Sequence, residues 1–374
     1  MLRTVVFLCL FSSSLLRAEA AGDSADGWGY GYDSLLNDLE RWRESPYATV
    51  DSIGSSVQGR AIWMVTITGG VSESGVLVRK RRVFMHARTH PAEVQANHIA
   101  NETIRLLLDS GSASRELRRD FIFNIVPMYN PDGVELGRPR ENAHGVDLEG
   151  NWDKLVLEPE VTALKRQFLA FMSGPVPIEV ALNLHSDLIN CTRFFFFHYA
   201  AGTSPAYEDL QRKFIGRVQG RFPEGIEDWD YVRSWDNGTQ LRYPEGFWWA
   251  NHREEVLALT YEDANCENAG GYDSTARALA MGSADYIRDR AIAGTRPLAR
   301  ARFQLLADGI RIPMGATIAR WDLTDMRGRR LAGGPAGPGD VFLAWNDLPE
   351  SSLRILSLTR AGFPTERMRL PPGR

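Results

Sequence analysis

What the sequence has little of narrows it before what it contains. Cysteine is scarce: three among 374 residues, Cys9, Cys191 and Cys266. That is too few for a small disulfide-knit scaffold or a cysteine-built metal cluster. Excess positive charge is missing as well. Lys and Arg number 43 against 47 Asp and Glu, a net charge of −4 with no basic run, so nucleic acid is not expected as a partner. Beyond the N-terminal leader no stretch is long and apolar enough to cross a bilayer, and there is no internal repeat or low-complexity tract. With 44% hydrophobic and 24% charged residues, the remainder is ordinary globular protein, long enough for one large or two unequal domains.

The N-terminus has a character of its own. Arg3 supplies a positive charge, Val5 to Leu16 is largely apolar, and Ala18-Glu19-Ala20 places small residues where a signal peptidase cuts. Residues 1–20 are therefore expected to be a signal peptide, with an uncleaved anchor as the alternative, and the mature chain to be secreted or periplasmic without a membrane span. Cys9 falls inside that leader. Cys191 and Cys266 then form an even pair, either a disulfide or two separate buried thiols.

Periodicity gives the outline. Tyr32 to Trp42, Glu93 to Leu108, Pro159 to Met172 and Thr275 to Arg288 have helical spacing, with Ala96, Ile99, Thr103 and Leu106 on one face of the second. Ala61 to Ile67, Val83 to His86, Phe121 to Met128, Val180 to Ser186, Phe194 to Tyr199 and Val256 to Thr260 are strand-like, with turns at Gly54 to Gly59 and at Asn130-Pro131-Asp132-Gly133. Buried runs alternating with helices predict an α/β fold, a mixed central sheet flanked by helices over residues 22–297. From about Arg300 the helical pattern fades. Asp340 to Leu343 and Leu353 to Leu358 then predict a small C-terminal β-sandwich over 298–374, with only a modest core of its own.

The chemistry concentrates around His90. Glu93 follows it by three residues, and His185 closes the strand Val180-Ala181-Leu182-Asn183-Leu184-His185. Two imidazoles and one carboxylate are the ligand set of a catalytic zinc that keeps a fourth position open. Pro91 suits the first position of a helix, which makes His90 the residue just outside it and Glu93 part of its first turn. His86 and His98 sit inside a strand and a helix, and His144, His198 and His252 lack partners at ligand spacing, so these five carry no metal expectation.

These motifs, in this order, resemble the zinc metallocarboxypeptidases of the carboxypeptidase A type over residues 30–290. Ile53-Gly54-Ser55-Ser56-Val57-Gln58-Gly59-Arg60 is similar to the family's early Gly-x-Ser-x-x-Gly-Arg turn. His90, Glu93 and His185-Ser186 match its ligands, Asn130-Pro131-Asp132-Gly133 its following loop, Arg140-x-Asn142 its arginine, and Ala258-Leu259-Thr260-Tyr261-Glu262 the strand ending in its catalytic glutamate. The resemblance implies one zinc ion per chain and a peptide or amide substrate. It makes Glu262 the general base that passes the proton on to the leaving amine, and Arg140 the cation that steadies the oxyanion. Asp147 would accept the far N–H of the first histidine ligand. The C-terminal strands resemble the transthyretin-like domain that follows some carboxypeptidases.

One segment departs from the pattern. Where the family has Asp-x-Asn-Arg-Asn, its Asn-Arg pair clamping the substrate's terminal carboxylate, this chain has Asp147-Leu148-Glu149-Gly150-Asn151. Glycine in place of arginine removes the guanidinium fork. Glu149, if it faces the pocket, would favour a cation or a hydrogen-bond donor. The position of the family's mobile tyrosine has Tyr243 as its nearest candidate, so Glu149, Gly150, Asn142 and Tyr243 form the expected substrate side. Either another arginine enters (Arg138, Arg193, Arg242 or Arg253), or the substrate carries no free C-terminal carboxylate, as in an amide or a cell-wall peptide. The rival reading is a binding protein that keeps the fold but has lost turnover.

Overall fold

The computed structural model describes residues 29–69, 80–187, 191–266 and 269–292, and seven strands between 304 and 370. The expected signal peptide over residues 1–20, with Cys9, lies outside the described residues.

Eight strands form the central sheet: β1 (Ala48–Ser55), β2 (Ala61–Ile67), β3 (Arg81–Ala87), β4 (Phe121–Val126), β5 (Ile178–Asp187), β6 (Phe194–His198), β7 (Val232–Ser234) and β8 (Leu257–Ala264). Their order is β1-β2-β4-β3-β5-β8-β6-β7. The middle four, β4-β3-β5-β8, are parallel. β1 and β2 join antiparallel on one side and β6 on the other, so the sheet is mixed, as expected. The helices are α1 (Tyr32–Arg43), α2 (Val94–Leu108), α3 (Ser112–Asp120), α4 (Pro131–Glu135), α5 (Pro159–Ser173), α6 (Pro205–Gln219), α7 (Pro244–His252) and α8 (Tyr272–Ile292).

The near-continuous apolar runs of the parallel strands follow from burial on both faces. In β3, Val83, Met85 and Ala87 join the core beneath α1, α2, α6 and α8, which includes Leu39, Ile99, Phe214 and Leu279. Phe84 points the other way, into a second core with Ile62, Val161, Leu164 and Phe168. Phe168 of α5 holds that side together, its ring 4.9 Å from Phe84 and 4.5 Å from Trp248. Truncating so enclosed an aromatic costs about 3–5 kcal/mol. The same alternation sends Ala181, Asn183 and His185 of β5 to the face opposite Val180, Leu182 and Leu184.

Several boundaries differ from the expectation. α2 starts at Val94, so Glu93 is its N-cap and Pro91 lies in the preceding turn rather than at the first helical position. On α2, Ile104 and Leu107 are buried, while Leu106 is only partly so. Asn130-Pro131-Asp132-Gly133 opens a helix: Asn130 Oδ1 accepts from the Gly133 N–H at 3.0 Å, with Pro131 at the first helical position. Gly54 belongs to β1 rather than to a turn, and β8 continues past Glu262 to Ala264. The C-terminal strands β9 (Gln304–Leu305), β10 (Gly309–Ile312), β11 (Ile318–Asp325), β12 (Arg330–Pro335), β13 (Val341–Ala344), β14 (Arg354–Arg360) and β15 (Glu366–Leu370) form two antiparallel sheets, β13-β10-β9 and β12-β11-β14-β15. Both expected strands are among them, as β13 and β14; Leu348-Pro349 and Pro371 to Gly373 lie outside the described residues.

Candidate metal centre

The site sits at the C-terminal ends of β3, β5 and β8, and Arg88 shapes its first wall. Leaving β3, the chain turns at Arg88 with φ 62°, a left-handed conformation uncommon for a side-chain-bearing residue. Its guanidinium is fully buried and donates to the Pro91 carbonyl (2.7 Å), Asn97 Oδ1 (2.9 Å) and the Tyr30 carbonyl (3.3 Å). Those bonds fold the segment 88–93 onto the head of α2 and bring His90 and Glu93 to one point.

His185 arrives there from β5. Its Nδ1 is 3.1 Å from His90 Nδ1 and 2.8 Å from Glu93 Oε2, while Glu93 Oε1 is 2.6 Å from His90 Nδ1. One ligand atom from each residue lies within 4.8 Å of the others, and all three side chains are buried. Two imidazole nitrogens and a carboxylate aimed at one another need either shared protons or a cation between them. Ligand atoms of a tetrahedral zinc with bonds of about 2.0–2.1 Å stand about 3.3 Å apart, close to the spacing seen, so these residues fit the ion. Burial alone would raise the Glu93 carboxyl, but His185 and His90 more than reverse this and hold it well below the ordinary carboxylate range. Burial opposes a charge on His185, yet Glu93 and Glu149 lift its affinity for a proton well above normal. The pocket is electrostatically prepared for positive charge.

Around these three residues stand further carboxylates. Asp147 Oδ1 is 3.2 Å from His90 Nε2, and its Oδ2 accepts from Arg140 Nε (3.2 Å) and Nη2 (3.0 Å). Asp147 therefore joins Arg140 to the first histidine. Glu262 lies directly across from His185 in the β5–β8 register. Its Oε2 is buried and has no hydrogen-bond partner among the described residues. Burial pushes this carboxyl up to about 8, with Glu93 and Asp187 adding and the two histidines opposing. Glu149 is buried, with Asn183 Nδ2 3.1 Å from each carboxylate oxygen, and its Oε2 is 3.4 Å from His185 Nε2. Glu245, at the start of α7, completes the acidic floor 3.4 Å from Asn183 Nδ2, its carboxyl raised to about 7 by burial and by Glu149.

Other expected residues fall elsewhere. Glu149 does not present an open carboxylate to a substrate, since its oxygens face Asn183 and His185. Asn142 is buried within its own loop: Nδ2 donates to Glu158 and Glu160, and Oδ1 accepts from His144 and Val146. Tyr243 caps α7 and takes a bond from Arg242. A side chain at Gly150 would meet nothing within 4 Å. Of the arginines named as replacements for the fork, Arg193 is bonded to Asp263, and Arg253 stacks on Trp249. Asn183 was legible through strand alternation, two residues before His185. Glu245 carries no such pattern, and Arg88 none that distinguishes it from a surface arginine.

Residues 34–211 match the family model described as zinc carboxypeptidase. That segment, just under half of the chain, is similar to the zinc carboxypeptidase family. Cytosolic carboxypeptidase 6 of Caenorhabditis elegans is 32% identical over 161 residues, 42% of this chain and 34% of that protein. Human cytosolic carboxypeptidase 1 is 33% identical over 134 residues, 33% of this chain and 11% of that protein. The chain thus spans about a third, or less, of the length of these relatives. A crystal structure of a metallo-carboxypeptidase from Burkholderia cenocepacia superposes with a TM-score of 0.57 at 22% identity over 70% of each chain, a likeness of fold.

Proposed function

We propose that the chain is an exported zinc-dependent hydrolase of peptide or amide bonds, built from a catalytic unit over 22–297 and a β-unit over 298–374. The convergence of His90, Glu93 and His185 on one point, with Glu262 in register beside His185, carries this reading. A zinc ion held there supplies Lewis acidity toward a carbonyl and a water. Glu262 takes the water's proton and returns it to the leaving nitrogen, its buried Oε2 having no competing partner among the described residues. Arg140, held against Asp147, offers fixed positive charge to the oxygen that becomes anionic. Asp147 orients His90.

The open space at Gly150 and the bonding of Arg193 to Asp263 favour a substrate without a free C-terminal carboxylate. Metal analysis of purified protein, then assay of C-terminally free, amidated and diaminopimelate-containing peptides, tests both points. One zinc per chain is expected, with the amidated or diaminopimelate substrates preferred. Glu262→Gln should keep the metal and lose about 10²–10⁴ in turnover. Full activity in that variant removes Glu262 as the base. A zinc-loaded protein that hydrolyses none of the panel is a binding protein instead.

A further inference from the structure

We propose that Glu149, standing where the carboxylate clamp of the resembled enzymes begins, is a positioning residue for the second histidine ligand. It would do for His185 what Asp147 does for His90. The inference rests on the metal-site reading above. Each histidine turns Nδ1 toward the common point and Nε2 toward a carboxylate: His90 Nε2 is 3.2 Å from Asp147 Oδ1, and His185 Nε2 is 3.4 Å from Glu149 Oε2. His185 Nε2 is buried and makes no aligned hydrogen bond among the described residues, so Glu149 is the carboxylate available to it.

Glu149 is itself held in place. The Asn183 amide nitrogen lies 3.1 Å from each of its oxygens, and Asn183 sits on the same strand and face as His185, two residues earlier. At the other end of the residue, Asp147 Oδ1 accepts from the Glu149 backbone N–H at 3.0 Å. One short turn, Leu148–Gly150 capped by Asp147, thereby delivers a carboxylate to each imidazole. A histidine that ligates a metal through one nitrogen has its tautomer and ring orientation set by what the other nitrogen meets. The loss of the substrate fork, at Gly150, and the support of the metal, at Glu149, then fall on adjacent residues of one turn.

The test is zinc affinity by chelator competition, with the absorption spectrum of the cobalt-substituted protein as a second readout. Glu149→Gln keeps the shape and removes the charge, and it is expected to weaken zinc binding about 10–100-fold and to shift the cobalt bands. Asn183→Leu, which releases Glu149 without touching it, should weaken zinc in the same direction. It decides the matter alone if Glu149→Gln does not fold. Wild-type protein that binds one zinc, with affinity and cobalt spectrum unmoved in the folded variants, overturns the role of Glu149. Wild-type protein that binds no zinc overturns the metal-site reading, and this inference with it.

Discussion

At the scale of single residues, two buried side chains do what their type seldom does. Arg88 lies wholly inside, in a left-handed turn, with its guanidinium serving three polar groups around the turn that carries His90 and Glu93. Replacing it with methionine keeps the volume but leaves the Pro91 carbonyl and Asn97 without their donor. The expected cost is on the order of 3 kcal/mol, together with weaker zinc retention, because the loop bearing His90 is no longer tied to α2. Thermal unfolding with and without chelator measures both; an unchanged midpoint would show that the guanidinium is not what holds the loop. His198 is enclosed and stacked 3.9 Å from Trp235, and burial pushes its imidazole down to about 3. The fold accepts only the neutral ring, so acid favours the unfolded chain. This contribution is complete above the ordinary value of about 6.5 and is lost as pH falls from there toward about 3, at up to about 1.4 kcal/mol per pH unit. His198→Phe should flatten the acid limb of stability between pH 4 and 6 by about one proton. Parallel denaturant-unfolding curves for the two proteins across that range would contradict it.

At the scale of elements, close approaches dictate which substitutions the fold admits. Gly282 lies in the interior of α8, where alanine would ordinarily gain about 1 kcal/mol in helix propensity. A Cβ there would come within 2.7 Å of Val218 Cα and 2.9 Å of its backbone nitrogen on α6. Backbone does not yield as a flexible side-chain tip does, so overpacking of about 1–3 kcal/mol should outweigh the gain. Gly282→Ala is expected to lower the unfolding midpoint, and a rise would mean that α6 and α8 can part without cost. The elements that were legible beforehand are those whose burial imposes a period: β2, whose ends coincide with the expectation, the strand of His185, and α2 and α5. The residues that could hold a metal, His90, Glu93 and His185, stand at a strand end and a helix start, which are marked by chemistry as well as by pattern. What escaped lacks an apolar period. α3 buries only Ser114, Leu117 and Arg118, β1 is largely exposed, and α7 is apolar on more than one face. α6 escaped despite Ser204 as its cap, Pro205 at its first position and a buried face of Tyr207, Gln211, Phe214 and Val218. Glu149 escaped in role only: strand and loop pattern place it near the site, but its contact with His185 depends on the turn of Leu148–Gly150.

At the scale of the whole molecule, Cys191 and Cys266 form a disulfide, Cα atoms 5.4 Å apart, between segments 75 residues apart in the chain. One stands just before β6 and the other just after β8, antiparallel neighbours that meet at Phe194 and Glu262. The bond therefore clamps the C-terminal end of β8, which carries Glu262, against the start of β6, reinforced by Arg193 and Asp263 at 3.1 Å. Closing a loop of this length removes about 4 kcal/mol of freedom from the unfolded chain, of which on the order of 2–4 kcal/mol is expected as stability. Such a bond persists in an oxidising compartment, in line with the proposed export and in contrast to the cytosol named for the relatives. The paired variant Cys191→Ser and Cys266→Ser, free of any stray thiol, should unfold several degrees lower than the oxidised protein. Dithiothreitol should lower the wild type to the same midpoint and leave the variant unmoved. Because the clamp lies beside Glu262 rather than beneath His90, turnover should fall on heating at a lower temperature in the variant while zinc content at room temperature stays the same. A wild-type midpoint indifferent to reductant, or peptide mapping that finds both thiols free in exported protein, would remove the disulfide and its argument for an extracytoplasmic enzyme.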